Sequence, residues 1–506
     1  MRKARALFIG LDSAEPKLLM RWSREGILPN LARLWKESVW TTPEALPGLG
    51  NDAVWTSVYT GVNPGRHGRY YYLQFQPDTY EMEFRDDDSF SHRPFWQSLS
   101  EAGLRVAIID FVHAPLTPFI NGIQVADWMA HGRYGQPRSW PPGFIKEIVS
   151  RYGEDPFQGS IDKTLLKSST KTVTDWRDLL VDRVRRKTAL SREIFEREPW
   201  DLFMTVYGEA HDIGHGFWHL HDASHPNHDA KWVRRHGDPV KDVYVEIDRA
   251  IGEWAKLAEN QGHLVIFAAP GMGPDYTANG ALDELLSRIE RLVDGKSSGP
   301  DLLYRLRQIY RKVTPNNLRR RVSFRRKKGQ RPSLSHHKFF AVPHNENSGA
   351  IRFNVKGRDR FGVVEPGPEL AALRQRISEE LCRIINKESG KPLVEKIVHT
   401  NQEYHGLQTQ MLPDLLVIWN RDAPIRRLIS PVLGTIDVSP STARTGDHTP
   451  NALLMVHAAS AGRIPGTSRL EDIAPTIADL LGVNLPHIDG RALRWTDAAD
   501  IEHKPG

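Results

Sequence analysis

The sequence predicts an α/β fold: a doubly wound, mostly parallel sheet with helices on both faces. The first observation is a set of short, continuous apolar runs, which are typical of buried parallel strands. These runs are ALFIGLD (6–12), RVAIID (105–110), DLFMTVY (201–207), HLVIFAA (263–269) and DLLVIW (414–419). The second is that helical stretches lie between the runs, and such alternation favours this architecture. In sheets of this kind, functional residues gather where the parallel strands end.

The helices next to the first strand are predicted from residues that are typical of strand ends and helix starts. The strand ends at an acid, Asp12, and Ser13 is predicted to cap a helix with Pro16 in its first turn. Residues 26–39 (GILPNLARLWKESV) have the pattern of a further amphipathic helix. Late in the chain, residues 349–367 alternate in the manner of a strand and a turn, and we expect a helix to follow them.

Two segments interrupt the alternation of strands and helices. Residues 132–197 are rich in proline, tryptophan and charge before they become helical, and they are predicted to form an insertion that acts as a lid. Residues 289–338 are predicted to form a basic insertion. The core of the domain is then divided into residues 1–131, 198–288 and 339–506.

Bulk composition excludes several classes of protein. The chain has 506 residues and a single cysteine, Cys382, so an intramolecular disulfide framework and a cysteine-based zinc module are both excluded. The N-terminal apolar run, residues 6–11, is too short for a signal peptide or a membrane span. We therefore expect a soluble, cytoplasmic protein without a membrane span.

The positive charge is concentrated in one segment. Residues 301–338 hold 13 Lys and Arg against one acid, a local charge of +12, whereas the whole chain carries +6 and the remainder therefore −6. Such a segment could bind nucleic acid, an acidic membrane surface or an anionic substrate. A solvated insertion is the favoured interpretation, since Phe324 is the only aromatic side chain among the clustered charges, and nucleic acid is not an expected partner.

The stretch GEAHDIGHGFWH (208–219) has the pattern of a metal site. His211 and His215 are four residues apart, so on a helix they share one face and could hold a divalent ion. Residues 211–228 contain six histidines. A histidine-rich surface helix, or a pair formed by His215 and His219, therefore remains an alternative.

Nine segments, spread in order over most of the chain, resemble the alkaline phosphatase superfamily and, within it, the bacterial type I phosphodiesterase/nucleotide pyrophosphatase-like proteins. They are FIGLDSAEPKLLMRW, GILPNLARL, WTSVYTGVNPGRHG, DLFMTVYGEAHDIGHGFWH, VIFAAPGMGP, IRFNVKGRDRFGVV, LPDLLVIW, RTGDHTPNALL and DIAPTIADLLGV. The resemblance implies a hydrolase in which two divalent ions about 4 Å apart clamp a phosphoryl group.

The resemblance also shows where this sequence departs from the family. Asp12 and His448 match an early aspartate and a late histidine ligand, but Asn51 occupies the position of the nucleophilic Thr or Ser. Ala269 and Pro270 occupy the positions of the Asp-His pair that binds the second ion. An amide is not a phosphoryl nucleophile, and neither Ala nor Pro can bind a metal through its side chain.

Of the two metal sites that the resemblance implies, the one that does not use the Asp-His pair is altered rather than lost. His211 stands where the family has an aspartate ligand, and Asp212 lies one position too late. We therefore expect one divalent ion, held by His211, His215 and His448. Three histidines with an open position are typical of catalytic zinc, so zinc is favoured, with iron or manganese as alternatives. An all-imidazole site keeps the full charge of the ion, which favours lowering the pKa of a bound water toward about 7.

Four further residues are candidates for the site. Asp12 is predicted to act as a general base or to bind a cationic part of the substrate, the alternative being a residual helix cap. Glu209 is predicted to reach the metal or the second nitrogen of a histidine ligand. Asn51 is predicted to bind a substrate oxygen and to stabilise developing negative charge. Asp52 is an alternative acid or base that could also contact the substrate.

These residues predict a hydrolase that attacks a small anionic substrate, of the phosphate, phosphonate or sulfate type, with metal-activated water and without a covalent Thr or Ser intermediate. A lyase-type metalloenzyme on the same fold and a non-catalytic binding protein are the alternatives. Metal content separates the binding protein from the enzymes, and an ester assay panel separates the hydrolase from the lyase.

Overall fold

The computed structural model describes residues 6–89, 92–130, 136–157, 170–259, 262–296, 332–344, 348–438, 443–457 and 462–495. Most of the basic segment 301–338 lies outside these ranges, as does His131.

The described residues form strands that are numbered here in chain order. They are β1 (Ala6–Asp12), β2 (Ser38–Thr41), β3 (Leu73–Phe75), β4 (Met82–Phe84), β5 (Val106–Ile109), β6 (Gly122–Ala126), β7 (Arg138–Trp140), β8 (Leu202–Tyr207), β9 (His263–Ala269), β10 (Gly271–Pro274), β11 (Phe339–Ala341), β12 (Ser348–Phe353), β13 (Ile385–Asn386), β14 (Val394–His399), β15 (Leu415–Trp419), β16 (Arg427–Ser430), β17 (Gly434–Asp437), β18 (Gly446–Thr449), β19 (Leu453–His457) and β20 (Gly462–Arg463).

The helices are numbered in the same way. They are α1 (Pro16–Arg24), α2 (Pro29–Leu34), α3 (Asn51–Thr60), α4 (Pro64–His67), α5 (Phe95–Glu101), α6 (Phe144–Tyr152), α7 (Thr170–Arg197), α8 (Glu209–His221), α9 (Ala230–His236), α10 (Pro239–Ala258), α11 (Asn279–Val293), α12 (Pro368–Cys382), α13 (Thr400–Glu403) and α14 (Ile473–Leu480). No helix of the described part is long and apolar enough to cross a membrane.

A nine-stranded sheet forms the centre of the molecule, with the order β20-β2-β19-β9-β1-β8-β5-β6-β7. Five neighbouring strands, from β9 to β6, are parallel, while β19 joins β9 and β7 joins β6 in the antiparallel direction. The predicted doubly wound, mostly parallel sheet is therefore confirmed.

Strand β1 lies in the middle of this sheet, and all seven of its residues are buried. Its alternate side chains enter the two apolar layers that cover the sheet: Phe8 packs with Trp55 and Phe267 on one face, and Leu7 and Ile9 join the layer on the other face. Burial on both faces is the reason why the strand is a continuous apolar run. Its last residue, Asp12, is thereby fixed at the carboxyl edge of the sheet.

Several local features differ from the prediction. Helix α1 is capped by Glu15, whose side chain accepts from the Lys17 amide, and not by Ser13. The helix predicted over 26–39 is shorter, because α2 ends at Leu34 and β2 follows. The predicted strand and helix after residue 348 are present as β12 and α12.

The apolar run DLLVIW forms β15, but this strand belongs to a separate antiparallel sheet of order β11-β12-β15-β14. A continuous apolar run shows that a strand is buried on both faces, but it does not show which sheet the strand joins.

The segment predicted to be a lid contributes to the core. β7 extends the edge of the main sheet, and α7 buries Trp176, Leu180 and Val184 in the same apolar layer as α8 and α10. Because α7 is amphipathic and long, its apolar face needs a partner in the body of the domain. Residues 158–169, between α6 and α7, lie outside the described part.

Candidate metal centre

Three histidine side chains converge at the carboxyl edge of the main sheet. His211 and His215 lie one turn apart on α8, which begins directly after β8, and His448 lies on β18. The ring centroids are 4.5, 4.7 and 4.9 Å apart, and one nitrogen from each ring lies within 4.8 Å of the other two. We call this set the histidine triad. Within the described residues, it is the only group of three or more His, Cys, Asp or Glu side chains placed to hold a metal ion.

The close packing of α8 against β18 brings His448 to the other two histidines. A Cβ atom at Gly446 would lie 2.3 Å from the carbonyl oxygen of Gly214, so no larger residue fits there. The hairpin of β10 and β18 places Met272 opposite His448. Helix and hairpin can approach so closely because both have a glycine at the point of contact.

Asp12 lies beside the first histidine of the triad. The Nδ1 atom of His211 is 3.1 Å from Asp12 Oδ2 and 2.9 Å from Ser13 Oγ, and the Trp55 indole donates to Asp12 Oδ1 at 3.0 Å. A carboxylate on one ring nitrogen fixes the tautomer and leaves Nε2 as the nitrogen for a metal. Asp12 is thus placed to orient His211, a role that was not among those predicted for it.

The second histidine is held by the backbone. His215 Nδ1 donates to the Gly446 carbonyl at 2.7 Å, while Arg444 Nη1 lies 3.3 Å from Nε2. Burial, followed by the charge of Arg444 and the two neighbouring imidazoles, lowers the pKa of His215 well below its usual range. The ring is therefore a neutral imidazole, which is the form that binds metals.

Glu15 connects the segments that carry the triad. Its Oε2 accepts from the Met272 amide at 3.1 Å and from Thr449 Oγ1 at 2.7 Å, and its Oε1 accepts from Asn451 Nδ2 at 2.9 Å. This one carboxylate thereby ties the segment after β1 to both strands of the hairpin. The position of His448 relative to Asp12 depends on it.

The opposite face of α8 carries acids that pair with α7. Glu209 lies 3.5 Å from Arg183 Nε and 3.4 Å from Lys187 Nζ, and Asp212 accepts from Arg183 Nη1 at 2.8 Å. Asp12, and not Glu209, contacts the second nitrogen of His211. The carboxylate of Glu209 pairs α8 with α7, and its predicted approach to the metal or to a ligand nitrogen stays a prediction.

Asn51 is the first residue of α3, and it lies one turn before Trp55, which contacts Asp12. Its Nδ2 atom is 3.4 Å from His113 Nε2. The amide therefore lies at the start of the helix whose Trp55 side chain reaches Asp12. Its contact with substrate stays a prediction.

Asp52 lies in a buried ion cluster rather than facing the triad. Arg69 Nη2 donates to Asp52 Oδ1 at 3.1 Å and to Asp87 Oδ1 at 2.6 Å, and its Nη1 donates to the His113 carbonyl at 3.0 Å. The Oδ1 atom of Asp52 thus already accepts from Arg69, which it shares with Asp87, and the predicted contact of Asp52 with substrate stays a prediction.

The hydroxyl groups nearest to Asn51 are already engaged. Thr56 Oγ1 donates to the Asp52 carbonyl at 2.7 Å, and Ser57 Oγ is 3.0 Å from His67 Nε2. Neither stands at the start of α3. The strand register pairs Asp12 with Ala269, which offers only a methyl group where the resemblance implies a metal-binding acid.

Sequence reasoning missed several residues of the site, above all Ser13, Glu15 and Arg444. Ser13 has a φ of 56°, which turns the chain sharply at the end of β1. The position of Arg444, four residues before His448 in ARTGDH, is the sequence feature that could have identified it as a site residue. A contact across 229 residues, such as that of Arg444 with His215, has no local signature.

The chain is similar to known proteins in sequence family and in fold. The family model for type I phosphodiesterase / nucleotide pyrophosphatase matches residues 6–421. Phosphonoacetate hydrolase from Sinorhizobium meliloti 1021, solved with phosphonoformate, superposes with a TM-score of 0.53 at 13% identity, over 95% of this chain and 96% of that one. Murine ectonucleotide pyrophosphatase / phosphodiesterase 5 gives 0.48 at 11%, over 96% of each chain. No curated protein matches the chain by sequence.

The fold is that of the alkaline phosphatase superfamily. Within it, the chain belongs to the type I phosphodiesterase / nucleotide pyrophosphatase family, which supports a hydrolase of the phosphodiesterase or pyrophosphatase type. The family match ends before β18, so the assignment of His448 to the site depends on the structure and on the segment RTGDHTPNALL.

Replacing Asp12 with asparagine is expected to weaken zinc binding about 10- to 100-fold, because the carboxylate that orients His211 and increases its basicity is lost. Competition with a chromogenic chelator measures this affinity. Ser13→Ala is the matched control, since it removes the other polar contact of His211 Nδ1 without removing charge, and its effect should be smaller. Equal affinities for wild type and Asp12→Asn would contradict the role of Asp12.

Replacing Arg444 with alanine is expected to increase zinc affinity at least about tenfold. A unit charge about 4 Å from a doubly charged ion costs about 2 kcal/mol even in bulk water, and Arg444 lies against His215 Nε2. Arg444→Lys retains the charge and is expected to bind zinc as wild type does. Isothermal titration calorimetry compares the three proteins, and a weaker affinity of Arg444→Ala would contradict this electrostatic effect.

Proposed function

We propose that the protein hydrolyses a small anionic ester of the phosphate, phosphonate or sulfate type, with one divalent ion held by His211, His215 and His448 and with water as the attacking group. The observation that carries the proposal is the convergence of the histidine triad beside Asp12, next to a helix that starts with Asn51 in place of a hydroxyl residue.

The donor set fits a divalent ion. His215 is held as a neutral imidazole whose Nδ1 is engaged with a backbone carbonyl, and His211 has a carboxylate on its Nδ1, so both rings are oriented as metal ligands usually are. Imidazole donors suit zinc and also iron, and manganese remains an alternative. A bound ion would supply positive charge that acidifies water and polarises an ester oxygen.

The residues around the triad would act on the substrate. Arg444 reaches His215 of the triad from the segment just before β18 and would bind an anionic oxygen of the substrate. The amide of Asn51 would bind a second oxygen at the start of α3, where the helix dipole favours negative charge. Trp55, one turn further along α3, is buried and packs edge to face with Phe111.

An attack by water follows from the groups at the start of α3. Asn51 cannot form an ester with a phosphoryl group, and Thr56 and Ser57 are engaged in other hydrogen bonds. No covalent intermediate is therefore expected. This distinguishes the proposed reaction from the one that the family resemblance implies.

The proposal is tested with the zinc-loaded protein and a panel of bis(p-nitrophenyl) phosphate, p-nitrophenyl phosphate, p-nitrophenyl phenylphosphonate, p-nitrophenyl sulfate and neutral p-nitrophenyl acetate. Turnover of at least one anionic substrate is expected, without an initial burst. Metal binding without any turnover would overturn the hydrolase in favour of a binding protein. A burst, or an isolated phosphoryl-protein adduct, would contradict attack by water.

A further inference from the structure

A buried carboxylate stands next to the third histidine of the triad. Asp447 precedes His448 on β18, and its side chain is 1% exposed. Its Oδ1 atom accepts from the backbone amide of His448 at 2.8 Å and lies 3.7 Å from the Nδ1 atom of the same histidine. Its Oδ2 atom is buried and has no hydrogen-bond partner among the described residues. One oxygen of a buried acid is therefore still able to accept a hydrogen bond.

The hairpin of β10 and β18 explains why Oδ2 has no donor in the described part. Across the hairpin, Asp447 is paired with Gly273, which has no side chain. The Arg421 guanidinium is nearby, but it donates to main-chain carbonyls, those of Pro274, Asp447 and His448. A buried carboxylate oxygen without a partner costs stability, so it points to a function outside the packing of the fold.

The other two histidines of the triad show how the rings of this site are oriented. Nδ1 of His211 has the Asp12 carboxylate at 3.1 Å, and Nδ1 of His215 donates to the Gly446 carbonyl at 2.7 Å. A histidine that binds a metal almost always donates its second ring N–H to a carboxylate, a carbonyl or a water. Asp447 is the carboxylate that the structure places beside the corresponding nitrogen of the third ring.

Resting on the metal site of the proposed function, we propose that Asp447 is the positioning residue of His448. With Nε2 directed to the ion, the Nδ1–H of His448 donates to the Asp447 carboxylate, which keeps its hydrogen bond from the backbone amide. Both side chains are short and belong to adjacent residues, so rotation about their side-chain bonds can close the 3.7 Å separation without a shift of β18. The carboxylate then fixes the tautomer and increases the basicity of the ring.

Three roles of Asp447 give different results when it is replaced. An orienting role acts through His448, so its effect disappears when that histidine is removed. An attraction between the carboxylate and the ion through space persists without His448, since it needs only the charge. A purely structural role in β18, through the hydrogen bond from the backbone amide, is retained by an asparagine, whose side-chain oxygen accepts in the same way.

The test is a double-mutant cycle on zinc affinity, measured by competition with chromogenic chelators of graded affinity. We expect Asp447→Asn to weaken zinc binding about 10- to 100-fold in the wild-type background and to leave the weak residual affinity of His448→Ala unchanged. Asp248→Asn is the matched control, because Asp248 is equally buried and accepts from backbone amides at the start of α2. It is expected to bind zinc as wild type does.

Unchanged affinity in Asp447→Asn, or an equal loss in both backgrounds, would overturn the orienting role while leaving the metal site intact. A crystal structure of the zinc-loaded wild type decides the case if Asp447→Asn fails to fold. We expect Nδ1 of His448 within about 3.2 Å of the Asp447 carboxylate, and a separation that stays near 3.7 Å or grows would overturn the proposal. Zinc bound elsewhere, or not at all, would overturn the metal site of the proposed function and, with it, this inference.

Discussion

Replacing His211 or His448 with alanine is expected to reduce the metal content of the purified protein from one equivalent per chain to none after dialysis. Each histidine supplies one of three nitrogens that lie within 4.8 Å of one another. A pair of neutral imidazoles binds an ion far more weakly than three convergent ones do, and these side chains are buried, so water replaces the lost ligand poorly. Elemental analysis after reconstitution with zinc measures the result.

The matched control for these variants is His219→Ala. His219 lies one turn beyond His215 on the same helix, but its Nδ1 atom is 3.1 Å from Thr445 Oγ1 and it is not part of the triad. Wild-type zinc content is expected for it. Loss of the ion in His219→Ala would show that His219 is a ligand and would contradict the assignment of the site to the histidine triad. Two equivalents of metal in the wild type would contradict a single-ion centre.

Replacing Arg69 with methionine is expected to lower the free energy of unfolding by about 3–5 kcal/mol at neutral pH, because two buried carboxylates lose the cation that they share. The side chain of Arg69 is 0% exposed, and those of Asp52 and Asp87 are 5% and 8% exposed. Urea denaturation measures the change. Arg427→Met removes an exposed Arg–Asp pair instead and is expected to have little effect.

The effect of Arg69→Met depends on pH in a defined direction. Burial raises the pKa of Asp87, but the charge and hydrogen bonds of Arg69 and His113 outweigh it, and the pKa falls to about 2. The stability from this group is therefore complete above about pH 4 and is lost as the pH falls toward 2. The loss in Arg69→Met should accordingly be largest at neutral pH and smaller near pH 3, where the carboxylates can take up protons. A loss independent of pH would contradict the charge argument.

Much of the fold was predictable because its central strands have a strong local pattern. β1, β5, β8 and β9 are buried on both faces, and this makes each of them a continuous apolar run. The same pattern could not assign β15, since membership in a sheet depends on long-range pairing. It also could not show that α7 belongs to the core, because a charged helix reveals a buried face only when its partner is known.

The histidine triad was predicted because two of its members lie four residues apart and the third lies in a family motif. The contacts that orient it were not predictable. Asp12 meets His211 across 199 positions, and the aspartate could equally have faced solvent or substrate. Asp52 was adjacent to Asn51 in sequence, yet it faces Arg69, because neighbouring residues on a helix point in different directions.

The hairpin of β10 and β18 has a consequence for how the site is assembled. His448 reaches the other two histidines only after β18 has paired with β10, and β19, the next strand, occupies its place between β9 and β2. Contacts between residues more than 200 positions apart form late, since the chain between them must first be ordered. A chain that stops before residue 446 contains two of the three imidazoles. High-affinity ion binding during refolding would thus report completion of the whole domain, and not the earlier formation of α8.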